Sequence, residues 1–278
     1  MIDIFHTVSQ DCSRITTERY STSFSSAIKL LHKEIRTPIH NIYGFVRFAD
    51  EIVDTFHAFN KQDLLVEFKK ETWTSLERGI SLNPILNSFQ LTVNQYNIPH
   101  DLIISFFNSM EMDLSKTTYN SDGYADYIYG SAEVVGLMCL CIFCENDMQL
   151  YDRLKPSAQA LGAAFQKVNF LRDIKADYKN LNRTYFPEVD FLNFTRHMKQ
   201  RIEEEIAIDF RNAYEGILQL PPKARFGVYV AYKYYFSLFK KIKKIQPSNI
   251  LDQRIRIPNF AKVLILAKAG LRSQLNLL

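Results

Sequence analysis

Glycine and proline are scarce, nine of each in 278 residues, together about half their usual share. A fold rich in tight turns needs more of both, so the shortage favours long helices with few joints. There are four cysteines, Cys12, Cys139, Cys141 and Cys144. Cys141 and Cys144 form a C-x-x-C pair, but no second pair and no nearby histidine cluster completes a zinc site. They read as buried thiols of a reducing compartment, the cytoplasm. The chain has no G-x-G-x-x-G, no P-loop and no H-E-x-x-H, so no nucleotide cradle or zinc-protease helix is expected. The first residues lack a basic segment followed by an apolar one, and no secretory signal is expected. The longest apolar run, 134–143, is too short to span a bilayer. A net charge of +4 and a pI near 8.7 suit an anionic ligand or an acidic membrane surface and are too weak to argue for nucleic acid.

What the chain has is apolar periodicity. Hydrophobic residues make up 47%, enough for a large core. Thr37 as cap and Pro38 in the first turn predict a helix over 37–59, with Ile39, Ile42, Val46, Ala49, Val53 and Phe56 on its apolar face. A second is predicted over 63–78, stopped by Gly79. Asn83-Pro84 and Pro99 start two more, and helices are expected over 122–144, 156–179, 193–217, 222–245 and 258–277. With no repeat and no linker, residues 1–278 read as one all-α domain.

Two polar stripes interrupt this pattern. Asp50 and Asp54 lie four residues apart, with Arg47 one turn earlier; Gln166, Asn169, Asp173 and Asp177 follow spacings of three, four and four, with Arg172 beside them. On a helix each set projects from one face. An i, i+4 acid pair is by default a solvated helix face, but these pairs sit among Phe45, Val46, Phe48, Ile52 and Val53, and among Leu161, Ala164, Phe165, Val168, Leu171 and Ile174. Unpaired carboxylates there would be costly. Hard cations held between the faces, bridging a diphosphate, account for both stripes. The small residues Gly130, Ser131, Ala132 and Gly136 suit either tight helix packing or a pocket wall. The segment 20–24, Tyr-Ser-Thr-Ser-Phe, reads as a helix cap whose amides could also hold phosphate.

In this order, these motifs resemble the squalene/phytoene synthase family of head-to-head isoprenoid synthases, and within it the bacterial phytoene synthases. The resemblance rests on residues 20–24, Ile42-Tyr43 with Arg47 and the Asp50-Glu-Ile-Val-Asp54 stripe, Met112-Asp113-Leu114, 127–136, and Gln166 to Asp177 closing in Arg183-Thr-Tyr-Phe-Pro187. It implies an isoprenoid-synthase helical bundle around a central cavity. It also implies that Asp50, Asp54, Asp173 and Asp177, with Asn169, bind magnesium, manganese being the alternative. Gln166 and Asn169 would orient substrate, Arg47 and Arg172 would face diphosphate, and Ser21 and Ser23 would lie near it. Phe24, Tyr43, Tyr127, Ala132, Val135 and Gly136 would line prenyl tunnels. Glu133 stands where relatives often have glycine, and in the C-terminal stretch only Arg254 and Arg256 carry over.

The implied reaction condenses two geranylgeranyl diphosphates through a cyclopropyl diphosphate to phytoene, without NADPH, with Tyr43 or released diphosphate as the base. The rivals are a squalene or dehydrosqualene synthase using farnesyl diphosphate, and a non-catalytic assembly factor of a respiratory complex, which would be expected to have lost the acids. Lys240, Lys241, Lys243 and Lys244 with the apolar stretch 263–278 suit a weak peripheral membrane contact or a core-packed helix with a solvated lysine face. The sequence carries no indication of oligomeric state.

Overall fold

The computed structural model describes residues 1–115, 118–180, 185–187, 189, 194–249 and 255–274; for 175–180, 259, 273 and 274 it describes the backbone alone. Among these residues the fold is all-α, without a strand. In chain order the helices are α1 (Ile2–Tyr20), α2 (Thr22–Ile28), α3 (Lys33–Asp54), α4 (Lys61–Arg78), α5 (Pro84–Gln95), α6 (His100–Ser115), α7 (Ser121–Ile128), α8 (Val134–Cys144), α9 (Met148–Asn180), α10 (Arg196–Gln219), α11 (Pro222–Lys243) and α12 (Asn259–Gln274).

Several boundaries follow local chemistry. The Asn83 side chain accepts from the amides of Ile85 and Leu86, with Pro84 at the first helical position. Asn60 caps α4, and Gly79 ends it at φ +69°, a left-handed turn that glycine adopts without strain. Two prolines mislead. α3 starts at Lys33, not after Thr37, and carries Pro38 inside it. Its start is set by packing: the His32 amide donates to the Lys223 carbonyl of α11, 2.8 Å away. α9 starts at Met148 and runs through Pro156. Asp147 accepts from the Leu150 amide at 3.0 Å, and buried Tyr151 and Leu154 anchor the extra turns.

Helix α3 has two working faces. One sinks Phe45, fully buried, into a ring cluster: Phe45 stacks on Phe89 at 3.8 Å between centroids and meets Phe68, Phe106 and Phe107 within 6 Å. Ile39, Ile42, Ala49 and Val53 are buried with it, whereas Phe48 is 38% exposed and Phe56 lies past the helix end. The other face carries Tyr43, Arg47, Asp50 and Asp54.

α1 packs on α3 and α5 through small hydroxyls rather than an apolar stripe. Ser9, Ser13 and Thr17 are buried; Ser13 bonds Ser88 at 2.6 Å, and Asn87 donates to Ser9 at 3.0 Å.

Residues 121–144 form one apolar stretch broken in the middle. Tyr129–Glu133 is a single π turn between α7 and α8, an arrangement frequent at functional sites. Ser121–Cys144 is long and apolar enough to cross a membrane, but 61% of its apolar eighteen-residue window is buried inside the bundle. Both readings of its small residues hold. A Cβ on Gly130 would meet the Ser105 carbonyl oxygen at 2.4 Å, so Gly130 exists for close packing. Ser131, Ala132, Val135 and Gly136 line a cavity.

Candidate active site

α2, α3, α8, α9, α10 and α11, with residues of α6 and α7, line a cavity of about 620 Å³. Its wall on α3 runs from Ile39 to Asp54, and on α9 from Leu154 to Asp173. At 1.5 Å per residue these stretches measure roughly 22 and 28 Å. The acids lie at the C-terminal end of both walls. The opposite end is apolar, formed by Ala27, Ile28, Leu31, Ile39 and Leu220.

Most of the expected site residues meet here. Ser21, Phe24, Tyr43, Arg47, Asp50, Asp54, Tyr127, Ala132, Val135, Gly136, Gln166, Asn169, Arg172 and Asp173 all line the cavity. Ser23 does not: Ser21 is the cap of α2, accepting from the Phe24 amide at 3.2 Å, and Ser23 lies two residues further round the helix. Glu133 also turns away, accepting a bond from Gln159 at 2.9 Å. The side chain of Asp177, and Arg183 and Arg254 altogether, lie outside the described residues. Arg256 is exposed, away from the cavity, and its carbonyl accepts from Lys241.

The electrostatics of the acidic end are those of a site short of positive charge. Asp50 sits on the cavity wall with 32% of its side-chain surface accessible, yet protein surrounds it. Burial, the neighbouring Asp54 and, more weakly, Asp113 push its carboxyl up to about 7, against the pull of Arg47. Arg47 is 3.9 Å from Asp50, pairs with Glu51 and lies 4.4 Å over the Tyr20 ring. Across the cavity Arg172 folds onto Asp173, its Nε 3.0 Å from a carboxylate oxygen, with Tyr235 as a further partner. Each cavity arginine is thus held by an acid of its own helix.

Tyr43 stacks on Phe24 at 5.3 Å, and burial pushes its phenol up to about 12. It is a proton donor at neutral pH. Tyr127 donates to Asp113 at 2.8 Å and packs with Tyr119, Phe170 and Tyr185. Burial pushes the three thiols of α8 up, Cys139 to about 12, Cys141 to about 11 and Cys144 to about 12, away from the reactive thiolate.

Asp113, Tyr185 and Tyr235 line the cavity without a role having been read for them. The first two fall inside motifs quoted above, and an acid between Met112 and Leu114 is itself a signal of a buried charge. Nothing in the sequence around Tyr235 marks it.

Among the described residues no three His, Cys, Asp or Glu side chains gather tightly enough to hold a metal. The donor set nevertheless suits one. It consists of carboxylates and amide oxygens, the ligands of hard cations. The Asn169 amide oxygen is buried with no hydrogen-bond partner, and burial and the neighbouring Asp54 hold the Asp50 carboxyl above its ordinary range.

A helical bundle around an elongated cavity, with carboxylates at one end, is the isoprenoid-synthase fold. The structure superposes on a crystal structure of a dehydrosqualene synthase with a TM-score of 0.84, covering 97% of this chain and 98% of that one at 18% identity. The chain belongs to the squalene/phytoene synthase family, whose model matches residues 17–261. Its relatives include a phytoene synthase of Arthrospira platensis, 26% identical over 95% of this chain and 92% of that protein. A 4,4'-diapophytoene synthase of Staphylococcus haemolyticus is 28% identical over 70% and 68%. The protein is therefore a prenyltransferase-type enzyme.

Proposed function

We propose that this enzyme condenses two geranylgeranyl diphosphates head to head to phytoene, in carotenoid synthesis. The observation that carries the reading is the shape of the cavity, charged at one end and apolar for the rest of its length. The apolar length of the α3 and α9 walls suits a prenyl chain whose diphosphate lies at the acidic end. The relatives named phytoene synthase support the same choice.

Asp50, Asp54, Asn169, Asp173 and Asp177 are the residues that would hold a divalent cation, magnesium by the hardness of their oxygens. When bound, it neutralises the substrate diphosphate and makes it a better leaving group. Arg47 and Arg172 add guanidinium charge at the same end, fixed before the reaction begins. Phe24, Tyr43 and Tyr127 offer ring faces to an allylic cation, each worth about 0.5–2 kcal/mol. The apolar wall keeps water from quenching that cation while the second chain's double bond attacks it to give the cyclopropyl diphosphate. A second ionisation, rearrangement and proton loss then complete the triene. Because Tyr43 keeps its proton, departing diphosphate is the base in this reading.

Incubation with magnesium and geranylgeranyl or farnesyl diphosphate, with and without NADPH, tests it. A forty-carbon colourless triene formed without NADPH is expected. A thirty-carbon product from farnesyl diphosphate, with no forty-carbon one, would select the shorter substrate and overturn this choice.

A further inference from the structure

The charge of this chain is divided very unevenly. From Pro222 to the last residue there are twelve Lys and Arg and a single acid, Asp252, so this stretch is net +11. The whole chain is only +4, which leaves residues 1–221 net −7. The basic stretch comprises α11 and α12.

Helix α12 is apolar on two sides. Its inner side packs against the bundle through buried Ala269 and half-buried Ile265 and Leu266. Its outer side presents Phe260, Val263, Leu264 and Leu271, which are 70, 66, 55 and 61% exposed. These four positions, with exposed Ala267 between them, follow the i, i+3, i+4, i+7, i+11 spacing of one helix face. Lys268 flanks that stripe by the same periodicity, and Lys240 and Lys244 of the α11 end are exposed. Two tethers fix the helix to the bundle: Lys262 donates to Thr22 of α2 at 3.1 Å, and Arg272 to Tyr229 of α11 at 3.2 Å. α2 and α11 are themselves cavity walls, through Phe24, Ala27, Gly227 and Val228.

We propose that the outer face of α12, with the lysines of α11, docks on an anionic lipid bilayer. A ridge of large apolar side chains rimmed by cations is what an interfacial helix needs: rings and aliphatic chains enter the acyl boundary while ammonium groups meet lipid phosphates. A second copy of the chain is disfavoured as the occupant, because it would set one strongly basic face against another. The inference does not depend on which prenyl diphosphate the enzyme takes. It places the outside of the α2–α11 wall at the membrane surface.

Co-sedimentation of the full chain with vesicles tests it, using phosphatidylcholine alone or mixed with phosphatidylglycerol, at about 0.1 M and about 1 M salt. Binding to the anionic vesicles at the lower salt is expected, and little to the neutral ones. Each of Lys240→Ala, Lys244→Ala and Lys268→Ala should weaken it about fivefold. Phe260→Ser with Leu264→Ser should weaken it at least tenfold, with helicity and unfolding midpoint retained. Equal binding to both vesicle types, or binding unchanged in the lysine and apolar variants, would overturn the proposal. So would a chain that ignores vesicles but forms a dimer that the Phe260/Leu264 variant disperses.

Discussion

Replacing Asp50 with asparagine should make the metal-free protein more stable while removing its activity. The Asp50 carboxyl is raised from 3.8 to about 7 in the folded chain. A raised acid pKa means that the folded state binds more protons than the unfolded one between these two values. Stability therefore falls as pH rises through that window and stays reduced above it. Three units correspond to about 4 kcal/mol; because 32% of the side chain reaches the cavity, water screening reduces this to about 2 kcal/mol. In urea denaturation with a chelator at pH 8, Asp50→Asn should exceed the native chain by about 2 kcal/mol, and the difference should shrink towards pH 4. The same variant should lose at least a hundredfold in turnover and the stabilisation that added magnesium gives the native chain. A variant less stable than the native chain at pH 8 without metal would refute the view of Asp50 as an acid held in place at a cost for function.

A second pH effect has the opposite sign. His40 is 5% exposed, and burial lowers it to about 4. The unfolded chain takes up a proton below about 6.5 and the folded chain does not, so stability is full above 6.5 and falls by up to about 3 kcal/mol towards pH 4. His40→Asn should flatten denaturation midpoints across that window; an unchanged slope would exclude His40 as the cause. A Cβ on Gly162 would come within 2.6 Å of the Ala132 carbonyl oxygen and 3.0 Å of the Glu133 Cα, both backbone of the π turn. Gly162→Ala should therefore cost about 1–3 kcal/mol, read as a lower unfolding midpoint, and no loss would mean that α9 and the π turn part easily.

The acidic faces were legible because a carboxylate inside an apolar helix is conspicuous, and Asp50, Asp54 and Asp173 do share one cavity. The helix starts were less so. Pro38 and Pro156 looked like first-turn residues, since proline lacks the amide that a helix interior uses. Contacts from elsewhere in the chain, the Lys223 carbonyl for α3 and the burial of Tyr151 and Leu154 for α9, extend both helices across them. α1 left no apolar signature because it packs through Ser9, Ser13 and Thr17. The aromatic partners of the two cavity arginines leave no local pattern for a related reason: Tyr20 and Tyr235 reach Arg47 and Arg172 from other helices, beside the acids of α3 and α9 that pair with them.

The central claim is that carboxylates of α3 and α9 jointly hold a divalent cation on diphosphate. Electron paramagnetic resonance of manganese, titrated into the protein with a non-ionisable prenyl diphosphate analogue, tests it most directly. Loss of the free-ion signal is expected in the native chain, with return of that signal in both Asp50→Asn and Asp173→Asn. Undiminished manganese binding in both variants would contradict the account.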